Sequence, residues 1–218
     1  MATRFERQLE ELHVQMITMG SLCEKVIKLS AKAIEGEDCA GQVFETDREI
    51  DAKEREIETL CMRLLLHQQP VAGDLREISA ALRMISDMER IGDQAADIAD
   101  LSRFIDRDDV QVPDEIKKMV EQTVHMVTES VDAFVKSDIN LCRKVIADDD
   151  KVDEAFNNIK GQLAGLMHGN MDVKVGIDLL MAAKYMERIG DHAVNIAEWV
   201  EYSITGVHRN NEHQLGGN

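Results

Sequence analysis

An all-α fold of six long antiparallel helices, arranged as two tandem three-helix bundles related by a pseudo-two-fold internal repeat, is predicted by three observations. First, the 218 residues include only 4% aromatics and 2 prolines, with 12 methionines and many Ala, Leu, Ile and Glu. Strands draw on aromatic and β-branched residues, so this composition favours helix. Second, apolar residues recur three and four apart along every long segment, the helical period. Third, residues 88–99, MERIGDQAADIA, return as residues 186–197, MERIGDHAVNIA, with nine identities in twelve at an offset of 98. Upstream, TDREID (46–51) matches DDKVD (149–153) at an offset of 102, and AIEGED (33–38) loosely matches FVKSD (134–138) at about 101. An offset that drifts by a few residues is what two copies with different loop lengths give. The expected units are a first repeat over 1–109 and a second over 110–206, joined near Asp106–Asp114, with a polar, frayed tail over 207–218.

In the first repeat, Leu12, Met16, Met19, Cys23, Val26, Ile27 and Ser30 form the inner face of helix one, and Gly36 suits the residue just past its end. Asp38 is placed to cap helix two, which runs to about Gln68, and Pro70 marks a turn. Asp74-Leu-Arg-Glu77 has the spacing of a capping box opening helix three, which reaches about Phe104. In the second repeat, Pro113-Asp114 opens a helix to about Lys136 and Asp138 caps one to about His168. Gly169-Asn170 breaks the chain, and Asp172 starts a last helix to about Ile204.

With 42 acidic and 25 basic residues the formal charge is −17, and both repeats share the excess. That argues against nucleic acid, or an anionic membrane, held by a basic face. The longest run without Asp, Glu, Lys or Arg, Leu12 to Cys23, is twelve residues, short of the roughly 17–25 that span a bilayer. No apolar leader opens the chain, and Cys23, Cys39, Cys61 and Cys142 are scattered without metal or redox spacing. The expectation is a cytoplasmic protein with reduced, buried thiols and no transmembrane segment.

Four acidic pairs are spaced i, i+4: Asp47 and Asp51, Glu89 and Asp93, Asp149 and Asp153, Glu187 and Asp191. On a helix each pair shares a face, where like charges cost ~0.2–0.5 kcal/mol. Taken singly, such a pair reads as a solvated acidic face. The hairpins change that reading. Asp51 lies 19 residues before Pro70 and Glu89 lies 19 after it; Asp153 lies 17 before Asn170 and Glu187 lies 17 after it. Antiparallel helices rising at one rate therefore bring each pair level with its partner pair, although the second hairpin is shorter. Each bundle is expected to carry a patch of four carboxylates, an oxygen-donor environment suited to Mg²⁺, Mn²⁺, iron or Zn²⁺. Gly92 and Gly190 sit inside the pairs of the third and sixth helices, where glycine costs ~1 kcal/mol against alanine. They admit either a metal or a closely packed helix. Asp97 and Asn195 extend the same face by one more step, as further ligands or as groups supporting the ligands. Arg90 and Arg188 point a quarter-turn away and read as structural ion pairs, with phosphate or partner binding as the alternative.

Other chemistry is sparse. Glu10-x-x-His13 has the spacing of a di-iron ligand pair but lacks the second motif such a site needs. His192, whose counterpart is Gln94, reads as a surface residue, and the methionines read as core. There is no phosphate-binding glycine loop, HExxH or GxSxG sequence.

MERIGDQAADIA, MERIGDHAVNIA, TDREID, DDKVD, the QQPVAGDLR that follows the second helix, and VQMITMG (14–20) in the first resemble the PhoU family. The resemblance covers about residues 5–205. It implies two pseudo-symmetric three-helix bundles whose E(D)xxxD motifs bind multinuclear metal clusters, iron or zinc in some members. Matched here, those motifs are Asp47/Asp51, Glu89/Asp93, Asp149/Asp153 and Glu187/Asp191. Asn195 in place of Asp97 is the visible asymmetry between the copies. The resemblance further implies a cytoplasmic negative regulator of the phosphate-starvation response. Such a protein links the ATPase subunit of a phosphate ABC transporter to a sensor histidine kinase, and acts as a homodimer or higher oligomer rather than as an enzyme. Two other readings of the residues stand beside it: a carboxylate-bridged metal-dependent enzyme and a metal-free helical adaptor.

Overall fold

The computed structural model describes residues 4–67, 70–104, 112–169 and 171–207. Among these are six α-helices and no strand: α1 (Arg4–Ile34), α2 (Ala40–His67), α3 (Ala72–Leu101), α4 (Asp114–Lys136), α5 (Ile139–His168) and α6 (Val173–Thr205). A 3₁₀ turn, Ser102–Phe104, extends α3 to the expected end of the third helix. The expected junction and tail lie largely outside the described residues.

Each helix buries the stripe its sequence marks out. Leu12, Met16, Met19, Cys23, Val26, Ile27 and Ser30 are all fully buried on α1. Complete burial of a Leu, Met, Val or Ile side chain contributes ~1.5–3 kcal/mol. Helices α1, α2 and α3 pack on one another, as do α4, α5 and α6; the most extensive contact between the two trios is α3 against α6, with α1 against α4 beside it. At the α1–α4 contact a Cβ on Gly20 would lie 3.1 Å from Val131 Cγ2, so the small residue sets how closely the helices approach.

Helix ends follow local chemistry, with two corrections. The Gly36 backbone is left-handed (φ 98°). There the Glu37 N–H bonds the Lys32 carbonyl and the Gly36 N–H the Ala33 carbonyl, satisfying carbonyls that the helix end leaves open. Asp138 and Asp172 cap α5 and α6, each accepting from two backbone N–H groups. Asp38, however, falls one residue early: α2 starts at Ala40, which puts Cys39 at its boundary, with its thiol donating to the Leu29 carbonyl. Asp74 is not the cap of α3 but its third residue. It accepts from the Val71 N–H at 3.1 Å, and Glu77 bonds His13 of α1 at 2.6 Å instead of closing a box.

All four cysteines are buried thiols. Burial pushes the Cys23 and Cys61 thiols up to about 12 and the Cys142 thiol to about 11, which keeps them protonated and unreactive. Among the described residues no helix is long and apolar enough to cross a membrane.

Candidate metal centres in the two repeats

In the first repeat, α2 carries Asp47 and Asp51 and antiparallel α3 carries Glu89 and Asp93. The hairpin register is visible one turn further along: Ser86 Oγ, three residues before Glu89, donates to Glu54 Oε1, three residues after Asp51, at 3.4 Å. Asp47 is the deepest member. Its Oδ1 is buried with no hydrogen-bond partner. Burial, and then the charges of Asp51, Asp93 and Asp97, raise the Asp47 carboxyl to about 6, against the opposing pull of Arg48. Glu89 is raised by burial and then by Asp93, Glu54 and Asp51. Burial, helped by Glu58 and Asp51, also raises Glu54, despite its hydrogen bond from Ser86. Among the described residues, none of Asp47, Asp51, Glu89 and Asp93 forms an ion pair with Lys or Arg.

Gly92 explains how Asp47 fits. A Cβ built there would lie 2.7 Å from Asp47 Oδ1 and 3.2 Å from Ile50 Cδ1. The glycine opens a notch in α3 that the carboxylate fills.

The second repeat places its four carboxylates in the same way. Asp149 on α5 is raised to about 6 by burial and then by Asp191, Asp153 and Glu187. Asp191 on α6 is raised by burial and Glu187, with Lys184 opposing. A Cβ on Gly190 would be 3.5 Å from Asp149 Oδ1 and 3.4 Å from Val152 Cγ1, ordinary contact distances. Lys184 bonds Glu187 directly and its ammonium lies 5.4 Å from the Phe156 ring.

The structure therefore brings each set of four into mutual electrostatic contact without gathering its oxygens round one point. Among the described residues, one group of three or more His, Cys, Asp or Glu has ligand atoms all within 4.8 Å of one another, and it is His125, Glu129 and Asp148. The donors of each patch are instead strung along two facing helix surfaces. A buried, unpartnered carboxylate oxygen amid like charges fits a bound cation, and the all-oxygen donor set fits a hard or borderline one.

The outer candidates have different surroundings. Asn195 Nδ2 donates to Asp87 Oδ1 at 3.1 Å. Asp97 accepts a hydrogen bond from Tyr185 and is held down by Arg188, although burial and Asp93 raise it overall. Both thus face the α3–α6 contact, and Asp97 still acts on Asp47 through its charge. His192 is not a surface residue: its side chain is 15% exposed and its Nδ1 lies 2.9 Å from Asp87 Oδ1. With an offset of 98, Asp87 and Tyr185 are repeat counterparts, so the contact is pseudo-symmetric in place but not in chemistry. Arg90 and Arg188 are exposed, and among the described residues neither forms the ion pair expected of it.

Two tandem three-helix bundles, each carrying an acidic patch across one hairpin, define an all-helical repeat protein. The PhoU domain model matches residues 16–102 and 116–200, and the chain belongs to the PhoU family. A phosphate-specific transport system accessory protein PhoU homolog of Clostridium acetobutylicum is 36% identical over 93% of this chain and 94% of its own length. The Synechocystis homolog is 34% identical over 93% and 92%. The crystal structure of PhoU from Pseudomonas aeruginosa superposes with a TM-score of 0.85 at 33% identity, covering 94% of this chain and all of that one.

Proposed function

We propose that this protein is a cytoplasmic negative regulator of the phosphate-starvation response, acting between a phosphate ABC transporter and a sensor histidine kinase to restrain phosphate uptake. Family membership over both repeats supports the link to phosphate transport, because the relatives carry the name of a transport accessory protein. The partners are the transporter's ATPase subunit and the kinase, docked on helix faces of a homodimer or larger assembly. A charge of −17 opposes direct adsorption to anionic lipid, so association with the membrane goes through these proteins.

Asp47, Asp51, Glu89 and Asp93 hold one metal cluster, and Asp149, Asp153, Glu187 and Asp191 a second, with iron or zinc as the resident ions and manganese or magnesium as substitutes. One observation carries this: Asp47 Oδ1 is buried, lacks a hydrogen-bond partner and sits among like charges. An unpaired buried charge of this kind is costly unless a cation meets it. Bound metal supplies neutralisation and a cross-link between the two helices of each hairpin. The carboxylates ligate, Gly92 admits Asp47, and the packed bundles present fixed faces to partners. Donors strung along two helices suit several ions better than one.

The test is co-purification with the transporter ATPase subunit and the kinase from phosphate-replete cells, together with phosphate uptake in a deletion strain. Binding to both partners, with raised uptake in the deletion, is the expected result. Absence of both interactions, with unchanged uptake, overturns the regulatory reading.

A further inference from the structure

A cluster of potential ligand atoms, His125, Glu129 and Asp148, lies apart from the two carboxylate patches. We propose that His125 and Glu129 of α4, with Asp148 of α5, form a divalent transition-metal site of the zinc class, in which the Lys144 ammonium occupies the cation position until metal displaces it.

The repeat shows that the fold does not require this cluster. Ser30 and Ser130, Met19 and Met119, and Ile27 and Val127 align α1 with α4 at an offset of 100, so the counterparts of His125 and Glu129 are Lys25 and Leu29. At the offset of 102 that aligns α2 with α5, the counterparts of Lys144 and Asp148 are Gln42 and Thr46. The first repeat fills the place with Leu29 and with Thr46, whose hydroxyl donates to the Gln42 carbonyl. The second puts a Glu there, 15% exposed, beside an Asp that is 14% exposed. Glu129 Oε2 is buried and has no hydrogen-bond partner. A carboxylate where the same fold accepts leucine needs a cation to offset its burial.

The cation now present is Lys144. Its Nζ bonds Glu129 Oε1 and lies 3.1 Å from His125 Nε2. Glu129 and Asp148 together hold its protonated form, raising it above the usual lysine range. Asp148 Oδ1 is paired with Lys151 Nζ at 2.6 Å, and His125 Nε2 is 3.2 Å from Glu129 Oε1. In the tautomer that accepts from Lys144, Nε2 presents a lone pair, the form that ligates a metal.

One atom from each of the three residues lies within 4.8 Å of the others. Bonds of roughly 2.0–2.2 Å around a tetrahedral zinc ion place ligands about 3.3 Å apart, so side-chain rotation closes the set, with water completing it. His125 is 55% exposed and Lys144 48%, which leaves a path for the ion and lets the lysine swing into solvent. Asp148 adjoins Asp149 in sequence but lies about 100° round α5 from it, grouped with His125 and Glu129 of α4, while Asp149 interacts with Asp191 and Glu187 of α6. The site is thus separate from the second carboxylate patch.

The test is zinc titration of the ¹⁵N-imidazole resonances of the full chain, which report on histidines and are blind to an all-carboxylate site. His125→Ala assigns the signal. The expected result is a saturable shift of the His125 Nε2 resonance that Glu129→Gln weakens by at least about tenfold, the order of loss typical of a metal-site substitution. Lys144→Met strengthens binding, because the competing ammonium is gone. A His125 resonance unmoved by zinc in both the wild type and Lys144→Met overturns the proposal. So does a Lys144→Met variant that melts lower without binding zinc more tightly, since a plain ion-pair network behaves in that way.

Discussion

The two carboxylate patches occupy the same place in their bundles, yet they solve the like-charge problem differently. In the first, Glu54 and Ser86 face each other one turn beyond Asp51 and Glu89, so a fifth acid joins the patch and no lysine does. In the second, Phe156 and Lys184 hold the corresponding places, and Lys184 neutralises Glu187. The packing differs in parallel: Asp47 fills the notch at Gly92, whereas Asp149 leaves ordinary space at Gly190. The second patch carries part of its counter-charge in its own sequence. The first has only the weaker, unpaired pulls of Arg48 and Arg90, so under the proposed metal binding its need for a bound cation is the greater.

The glycines give the largest expected effect. Gly92→Ala forces Asp47 and Ile50 aside, an overpacking cost of ~1–3 kcal/mol that exceeds the ~1 kcal/mol gained in helix propensity. Gly190→Ala keeps that propensity gain with little clash and stabilises. In a domain of this size each kcal/mol moves the midpoint by roughly 2–4 °C, so paired thermal melts separate the variants. Equal shifts would break the comparison.

The next effect is on pH dependence. The folded-state pKa values of Asp47 and Asp149, about 6, lie above the usual carboxylate value. The folded chain therefore binds more protons than the unfolded one between about pH 4 and 6. Chelator-treated protein is expected to melt higher at pH 5 than at pH 7, losing that stability as pH rises through about 6. Metal-loaded protein is expected to do the reverse, because acid protonates its ligands. Melting curves at the two pH values, with and without chelator, check both signs.

The smallest effect comes from exchanging the neighbours. Ser86→Lys brings a counter-ion to the first patch and Lys184→Ser removes one from the second. For partly exposed pairs each change is worth ~0–1 kcal/mol in metal-free protein, upward for the first and downward for the second. Metal affinity, measured by competition with a chromophoric chelator, moves the opposite way in each case.

Much of this architecture is legible in the amino-acid sequence. The buried stripe of α1 and the caps at Asp138 and Asp172 follow from side-chain period and local hydrogen bonding, which act within a few residues. The level pairing of Asp51 with Glu89 follows from helix rise alone, and the Ser86–Glu54 bond shows the same register. What the sequence hides depends on contacts between distant segments. The spacing of Asp74 to Glu77 fits a capping box, but Glu77 is taken by His13 of α1. A glutamine counterpart makes His192 resemble a surface residue, yet α3 places Asp87 opposite it. Asn195 is the difference between the copies that the repeated motif displays, but the asymmetry of the patches lies at Glu54, Ser86, Phe156 and Lys184. Extending the repeat alignment by one helical turn reaches those four.

Whether the carboxylates hold metal, and whether the first patch needs it more, is tested most directly by elemental analysis of protein purified without chelator, alongside Asp51→Asn and Asp153→Asn. Iron or zinc bound to the wild type, reduced in both variants, with the melting temperature falling further in Asp51→Asn than in Asp153→Asn, is the predicted result. No bound transition metal, with both variants melting as the wild type does, would contradict it.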